Sequence, residues 1–254
     1  MAAKSAKPGA RSLSGIPALR RKLLRARARG MPRFLEDRGR RLLDAYLATA
    51  EAEGRPARAL AGDIASGAVA QKLAEMTGAQ IRAEEPEQLR EAACSEGCAF
   101  CCILLEGDGG LITEAEAVQL HGALAPLAGQ PDGRAWNANA CAALDPETRL
   151  CRAYDARPTV CRSFISVDVE ACRENAAGGD EDGSGMLGNH LDYLAVLALS
   201  RDLMRGTALV ATYNMQTITS AAIDGVALDK ALKQARHKSA ELEDTCADIG
   251  NSPS

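Results

Sequence analysis

Residues 94–102 read Cys94-Ser95-Glu96-Gly97-Cys98-Ala99-Phe100-Cys101-Cys102, and the rest of the chain is organised around them. Spacings of two or three residues let a short loop turn its sulfurs toward one point, which zinc and iron–sulfur sites both require. Gly97 stands just before Cys98, where a metal-binding loop often needs a backbone conformation that a side chain obstructs. Cys101 and Cys102 are adjacent, so their side chains leave the backbone in different directions. The pair can therefore serve different ions or bridge two.

A second group follows at Cys141, Cys151, Cys161 and Cys172, with gaps of nine, nine and ten residues. These gaps are too wide for one tight knuckle and fit successive turns that return to a shared centre. Eight of the nine cysteines thus lie within residues 94–172, and only Cys246, read as a free thiol, stands apart. A buried free Cys packs as a small apolar side chain. That explains one or two thiols, not eight. Arg152, Arg162 and Arg173 each follow a cysteine directly, and Arg157 lies between them. Guanidinium groups beside several thiolates offset charge that a divalent ion leaves uncancelled.

These residues carry a family resemblance. Cys-x3-Cys-x2-Cys-Cys, then Cys141-Ala-Ala-Leu, then Cys151-Arg-Ala-Tyr154-Asp-Ala-Arg157-Pro158-Thr-Val-Cys161-Arg162-Ser-Phe164, resembles the YkgJ-type cysteine-cluster (CxxCxxCC) proteins, a family of zinc- or iron-chelating domains. The resemblance covers about residues 90–175 and departs by one extra residue between Cys94 and Cys98. It implies chelation of zinc or iron and no single reaction. A flagellin lysine methylase is similar in this region.

Composition sets the frame. A chain of 254 residues can bury a real core in one or two domains. It has no run of eighteen apolar residues and no apolar stretch near its start, so neither a membrane span nor a secretory leader is expected. A cytoplasmic location follows as the expectation, with organelle import left open. Thiols there stay reduced, which favours metal over disulfides. The net charge of −4 hides an asymmetry: residues 1–41 carry thirteen Lys or Arg against Glu36 and Asp37. Residues 1–32, rich in Ala, Ser, Gly, Pro and Arg, read as a basic disordered tail, with adhesion to nucleic acid as the alternative.

Along the chain, apolar residues at helical spacing predict helices over 33–53, 58–76, 84–93, 187–205 and 226–243. Thr113-x-x-Glu116 is a capping box that starts another at about 114. Asp145-Pro146-Glu147-Thr148 predicts a turn joining 141–144 to 150–154 as a small hairpin. Pro158 predicts the start of a short helix carrying Cys161. Residues 103–105 and 207–223 read as helix or strand, and the Gly-rich stretch 177–185 reads as a linker without the full calcium-loop pattern. The expected fold is mostly α, with small irregular or hairpin elements around a cysteine-rich metal centre. A single helical domain over 33–245 would hold the cluster, followed by a disordered tail over 246–254.

Function narrows to classes. No phosphate loop, zincin motif, nucleophile elbow or dinucleotide fingerprint is present. Cys94, Cys98, Cys101, Cys102, Cys141, Cys151, Cys161 and Cys172 are the candidate ligands, for zinc, iron or an iron–sulfur cluster. His121, His190 and His237 could complete a mixed site, with His190 the best placed of them. A chelating protein, an iron-dependent redox or methyl-transfer enzyme, and a nucleic-acid-associated protein are the three readings carried forward. No catalytic residue is assigned.

Overall fold

The computed structural model describes residues 15–105 and 109–251. Residues 1–14 and 252–254 of the two expected tails lie outside the described residues. In chain order the helices are α1 (Ile16–Leu23), α2 (Arg33–Ala52), α3 (Ala57–Ala65), α4 (Ala68–Glu84), α5 (Glu87–Arg90), α6 (Glu114–Leu124) and α7 (Gly133–Trp136). They continue as α8 (Thr159–Ser163), α9 (Val169–Ala176), α10 (Gly188–Leu203), α11 (Met215–Ile223), α12 (Leu228–Ala235) and α13 (Glu241–Asn251). The strands β1 (Leu111–Thr113) and β4 (Thr212–Asn214) pair antiparallel, as do β2 (Phe164–Ser166) and β3 (Ser184–Met186). The fold is mostly α with small hairpin-like pairs, as the sequence led us to expect.

Two apolar cores divide the chain. The first is built on α10, whose residues from Tyr193 to Leu199 are all buried. A helix apolar on all sides belongs at the centre of a bundle. Helices α1, α2, α3, α4 and α13 surround it, contributing Leu19, Leu43, Leu60, Ile64, Leu73 and Leu242. The second core gathers Ile112, Leu120, Leu124, Leu144, Tyr213, Ile218 and Ile223 from the β1–β4 pair, α6, α11 and the turn at Leu144, with no helix longer than the 11 residues of α6. Cys141 is buried in it, and Cys102, Cys151 and Cys161 pack against it.

The segment expected to be an N-terminal tail is folded from Gly15 onward. Ile16, Leu19 and Leu23 of α1 are buried in the first core. The buried Glu36 carboxylate accepts from the Ala28 N–H at 2.9 Å and from Arg27 at 3.1 Å, and pairs with Arg40 as well. Arg20 pairs with Asp44 and Glu51, Arg29 with Glu243, and Arg38 with the buried Asp192. Much of the basic run is therefore committed to acids of this same chain. The C-terminal end is also folded as far as Asn251: α13 buries Leu242 and Cys246 in the first core.

Three expected helices differ from those found. The stretch 58–76 is two helices, α3 and α4, broken at Gly67. Gly67 has φ +79°, and a Cβ there would lie 2.3 Å from the Thr113 methyl, so the break is where the capping turn of α6 comes closest. The stretch 226–243 is also two helices. Between them Arg236 bridges to Tyr213 and the His237 N–H donates to Thr212 O at 2.9 Å, so the chain leaves the helix to pair with β4. Residues 84–93 form only the single turn α5, after Pro86. Within 207–223 both readings hold in sequence, β4 and then α11.

Candidate metal centre

Each cysteine is delivered by a local device. Ahead of the first group, the Ala93 N–H donates to Ser166 O at 2.9 Å, and the Ser166 N–H lies 3.4 Å from Cys94 Sγ. Cys94 thus runs alongside the end of β2. Gly97 has φ +77° and passes so near the 145–150 turn that a Cβ would stand 3.1 Å from Thr148 O. Ala99 takes the left-handed conformation at φ 55° although it has a side chain. That costs about 1–2 kcal/mol. The kink leads into a 3-10 turn, Phe100–Cys102, that presents Cys101 to solvent and Cys102 half-buried.

The second group is brought to the first by backbone pairing. Ile103 bridges to Ala140, the Leu104 N–H donates to Asn139 O at 2.8 Å, and the Cys141 N–H donates to Cys102 O at 2.8 Å. The expected 141–154 hairpin is present as a narrow pair: Leu144 bridges to Cys151, and the Arg152 N–H donates to Ala143 O at 2.9 Å. Its turn is held by Asp145 Oδ1, which accepts from Thr148 N at 2.8 Å and Thr148 Oγ1 at 2.9 Å. Trp136 packs against the second core, with the Arg149 guanidinium 5.6 Å from its ring centroid.

Cys161 rides on α8, which starts after Pro158 as expected. The Thr159 N–H donates to Glu116 Oε1 at 2.7 Å. The other oxygen of this buried carboxylate accepts from Thr113 N at 2.9 Å, Thr113 Oγ1 at 3.0 Å and Tyr193 Oη at 2.5 Å. Glu116 therefore closes its capping box and also ties α6 to α8 and to α10. Cys172 rides on α9, capped by Asp168, whose Oδ1 accepts from Glu170 N at 2.8 Å. Helix α9 packs against the 3-10 turn of Cys101 and Cys102.

The electrostatics sort the thiols into neighbours. Cys94 feels Cys101, Cys98 and Cys172. Cys102 feels Cys101, Cys141 and Cys161, while Cys161 feels Cys141, Cys151 and Cys101. Cys101 is common to both sets. A hydrogen bond from Cys102 lowers the Cys101 thiol to about 7, aided by the nearby Arg157. The same bond, with burial, pushes Cys102 well up. Burial pushes Cys141 up to about 11 and raises Cys151 and Cys161 too. Arg157 is stacked on the exposed Tyr154 ring at 3.6 Å and lowers Cys101, Cys151 and Cys161 alike.

All nine cysteines are free thiols. Among the described residues, no three Cys, His, Asp or Glu side chains already form a group that could hold a metal ion. The backbone gathers the thiols, but their side chains do not close on a point. The donor set nonetheless suits a soft divalent ion: crowded, partly buried thiolates repel one another and call for a cation between them. The histidines are placed otherwise. His121 Nε2 lies 2.8 Å from Val226 O, and His190 stacks on Tyr193 with its Nδ1 buried and without a partner.

Some residues around the thiols carry no sequence signal. Met215 Sδ lies 3.4 Å from Cys161 Sγ, and the Thr219 hydroxyl, which donates to Gln216 O, acts to lower the Cys141 thiol. Neither lies near the cysteines in sequence. Glu116 was visible as a cap, whereas its bonds to Thr159 and Tyr193 belong to the tertiary fold.

Residues 93–179 match the CxxCxxCC family, described as "Putative zinc- or iron-chelating domain". The match takes in all eight clustered cysteines and supports metal binding, with zinc or iron as the ion. No curated protein matches the chain, and no solved structure does. Among the described residues, no helix is long and apolar enough to cross a membrane.

Proposed function

We propose that this chain is a metal-binding protein that chelates zinc or iron through Cys94, Cys98, Cys101, Cys102, Cys141, Cys151, Cys161 and Cys172. The observation that carries this reading is the pairing of residues 102–104 with 139–141, which sets two cysteine groups distant in sequence side by side. These cysteines would hold the ion once their side chains turned to face it, and it would supply a positive charge that their thiolates share. The helical half of the molecule provides a rigid support through Glu116.

The test is metal analysis by mass spectrometry on the chain purified without oxygen, with an optical spectrum beside it. Stoichiometric zinc in a colourless protein supports a structural thiolate site. Broad visible absorption with iron supports an iron–sulfur or iron–thiolate centre. A folded chain that takes up neither ion overturns the reading.

The exposure of Cys94 and Cys101 favours a second reading, an iron-dependent redox or methyl-transfer enzyme that uses the same cluster. An open coordination position reachable from solvent is what such chemistry needs. Perturbation of the iron spectrum by a small exogenous ligand supports this reading, and an inert spectrum removes it.

A further inference from the structure

We propose that the eight thiols form two sites with different roles. An inner four, Cys102, Cys141, Cys151 and Cys161, retain their ion. An outer four, Cys94, Cys98, Cys101 and Cys172, exchange theirs with solution. This division rests on the reading that the cysteines bind zinc or iron.

The two sets differ in what holds them. Every inner cysteine packs against the second apolar core, and no outer cysteine does. The inner set is fixed by backbone pairing: the Cys141 N–H to Cys102 O, the Leu144–Cys151 bridge, and the Glu116 bond to the first turn of α8. Moving one inner sulfur far means breaking that pairing and opening the core. A four-thiolate site held in this way, by core packing and backbone pairing, is of the structural, non-exchanging kind.

The outer set hangs on slighter elements. Cys94 follows the single turn of α5 and leans on the three-residue strand β2. Cys98 lies between Gly97 and Ala99, both at positive φ. Cys172 sits on the eight-residue α9, whose outer face is solvent. Cys94 and Cys101 are exposed, where no inner cysteine is; Cys98 and Cys172 are half-buried, as are Cys102, Cys151 and Cys161, while Cys141 is buried. A ligand ring open to solvent lets an incoming thiolate or chelator reach the ion before any protein sulfur leaves, so release does not wait for unfolding. Cys101, joined to Cys102 through the 3-10 turn, stands where the two sets meet.

The test uses the full chain, reduced, kept without oxygen and loaded with zinc alone. Two ions per chain are expected, released to a chromogenic thiol-free chelator in two separated phases. Cys94→Ser with Cys172→Ser should remove one ion and the fast phase while leaving the slow phase and the melting transition. Cys141→Ser should abolish the slow phase. Since that variant can fail to fold, alkylation of the unaltered zinc-loaded chain is followed in parallel by peptide mass spectrometry. Cys94, Cys98, Cys101 and Cys172 should be modified first. A single ion per chain, one release phase, or equal alkylation of all eight thiols overturns the division while leaving chelation standing. Failure to bind zinc or iron at all overturns chelation itself, and the division with it.

Discussion

The two apolar cores are built by opposite means. The first relies on length: α2, α4 and α10 run for 20, 17 and 16 residues and meet along broad apolar faces. The second joins α6, α11 and α12, of 11, 9 and 8 residues, to pieces such as the five-residue α8, the four-residue α7 and the three-residue strands β1 and β4. Short elements bury little surface apiece and cannot stand alone, because a first helical turn costs more order than its bonds return. The thiols lie in and around the second core and none of the eight lies in the first. The difference suggests that burial holds one half of the molecule and that ligation completes the other.

The largest effect expected from that contrast is the response to metal removal. Thiolate ligation of zinc in small domains contributes about 10–16 kcal/mol, far above what a few short elements supply. Stripping the metal under reducing conditions should leave the amides of α2, α4 and α10 protected from hydrogen exchange and open those of residues 140–163. Exchange mass spectrometry reads both regions at once. Uniform protection with and without metal would break the comparison, since the second core would then need no ion.

Glu116 joins the two halves, so replacing it is the next largest perturbation. In Glu116→Gln one oxygen becomes an NH2 group, which must face at least one of the donors Thr159 N, Thr113 N, Thr113 Oγ1 or Tyr193 Oη. Loss of a buried, charge-assisted bond together with an unsatisfied donor costs about 3 kcal/mol. A urea transition should shift by that amount, and zinc should be released faster as α8 loosens. A shift in stability with no change in release would show that α8 is held by its cysteine rather than by Glu116.

The first core carries a pH dependence of its own. Burial holds the His190 ring down to about 4, below its ordinary 6.5, and its Nδ1 has no partner. Below pH 6.5 the unfolded chain takes up a proton that the folded chain refuses. Stability is therefore steady above that value and falls as pH drops toward 4, by about 3 kcal/mol in full. His190→Phe keeps the stack on Tyr193 and should flatten this part of the profile. Urea midpoints at pH 7 and 4.5, for both chains, isolate it from the carboxylates common to them. Equal slopes in the two chains would remove His190 as the cause.

The sequence reveals the two cores unequally, for the same physical reason. Helices α2 and α10 are legible because Leu43 and Leu47, or Leu191 and Leu194, repeat at the spacing of one helix face. The thiols are legible because spacing and residue type are local facts. What is not legible depends on distant partners. Residues 16–32 look like a solvated tail until Glu36 is seen to accept from Arg27 and Ala28. Within the stretch 58–76, Gly67 is where Thr113 presses in and splits α3 from α4. The last helix breaks because β4 takes its backbone at Arg236 and His237. Around the thiols, Met215 and Thr219 arrive through α11, which no spacing near the cysteines announces.

The smallest effects come from two residues in left-handed conformation, one in each region. Glu85 ends α4 at φ 44° and is exposed, while Ala99 turns the cysteine loop at φ 55° and is buried against the second core. Glycine relieves about 1–2 kcal/mol of strain at either position and returns part of it as entropy of the unfolded chain. Glu85→Gly should therefore stabilise by about 0.5–1 kcal/mol. At Ala99 the same relief is offset by loss of a buried methyl, worth about 0.8 kcal/mol, so Ala99→Gly should come out near zero. Paired denaturant curves on metal-loaded chains decide it. If Ala99→Gly gained as much as Glu85→Gly, the Ala99 methyl would contribute nothing, and the second core would not extend to the cysteine loop.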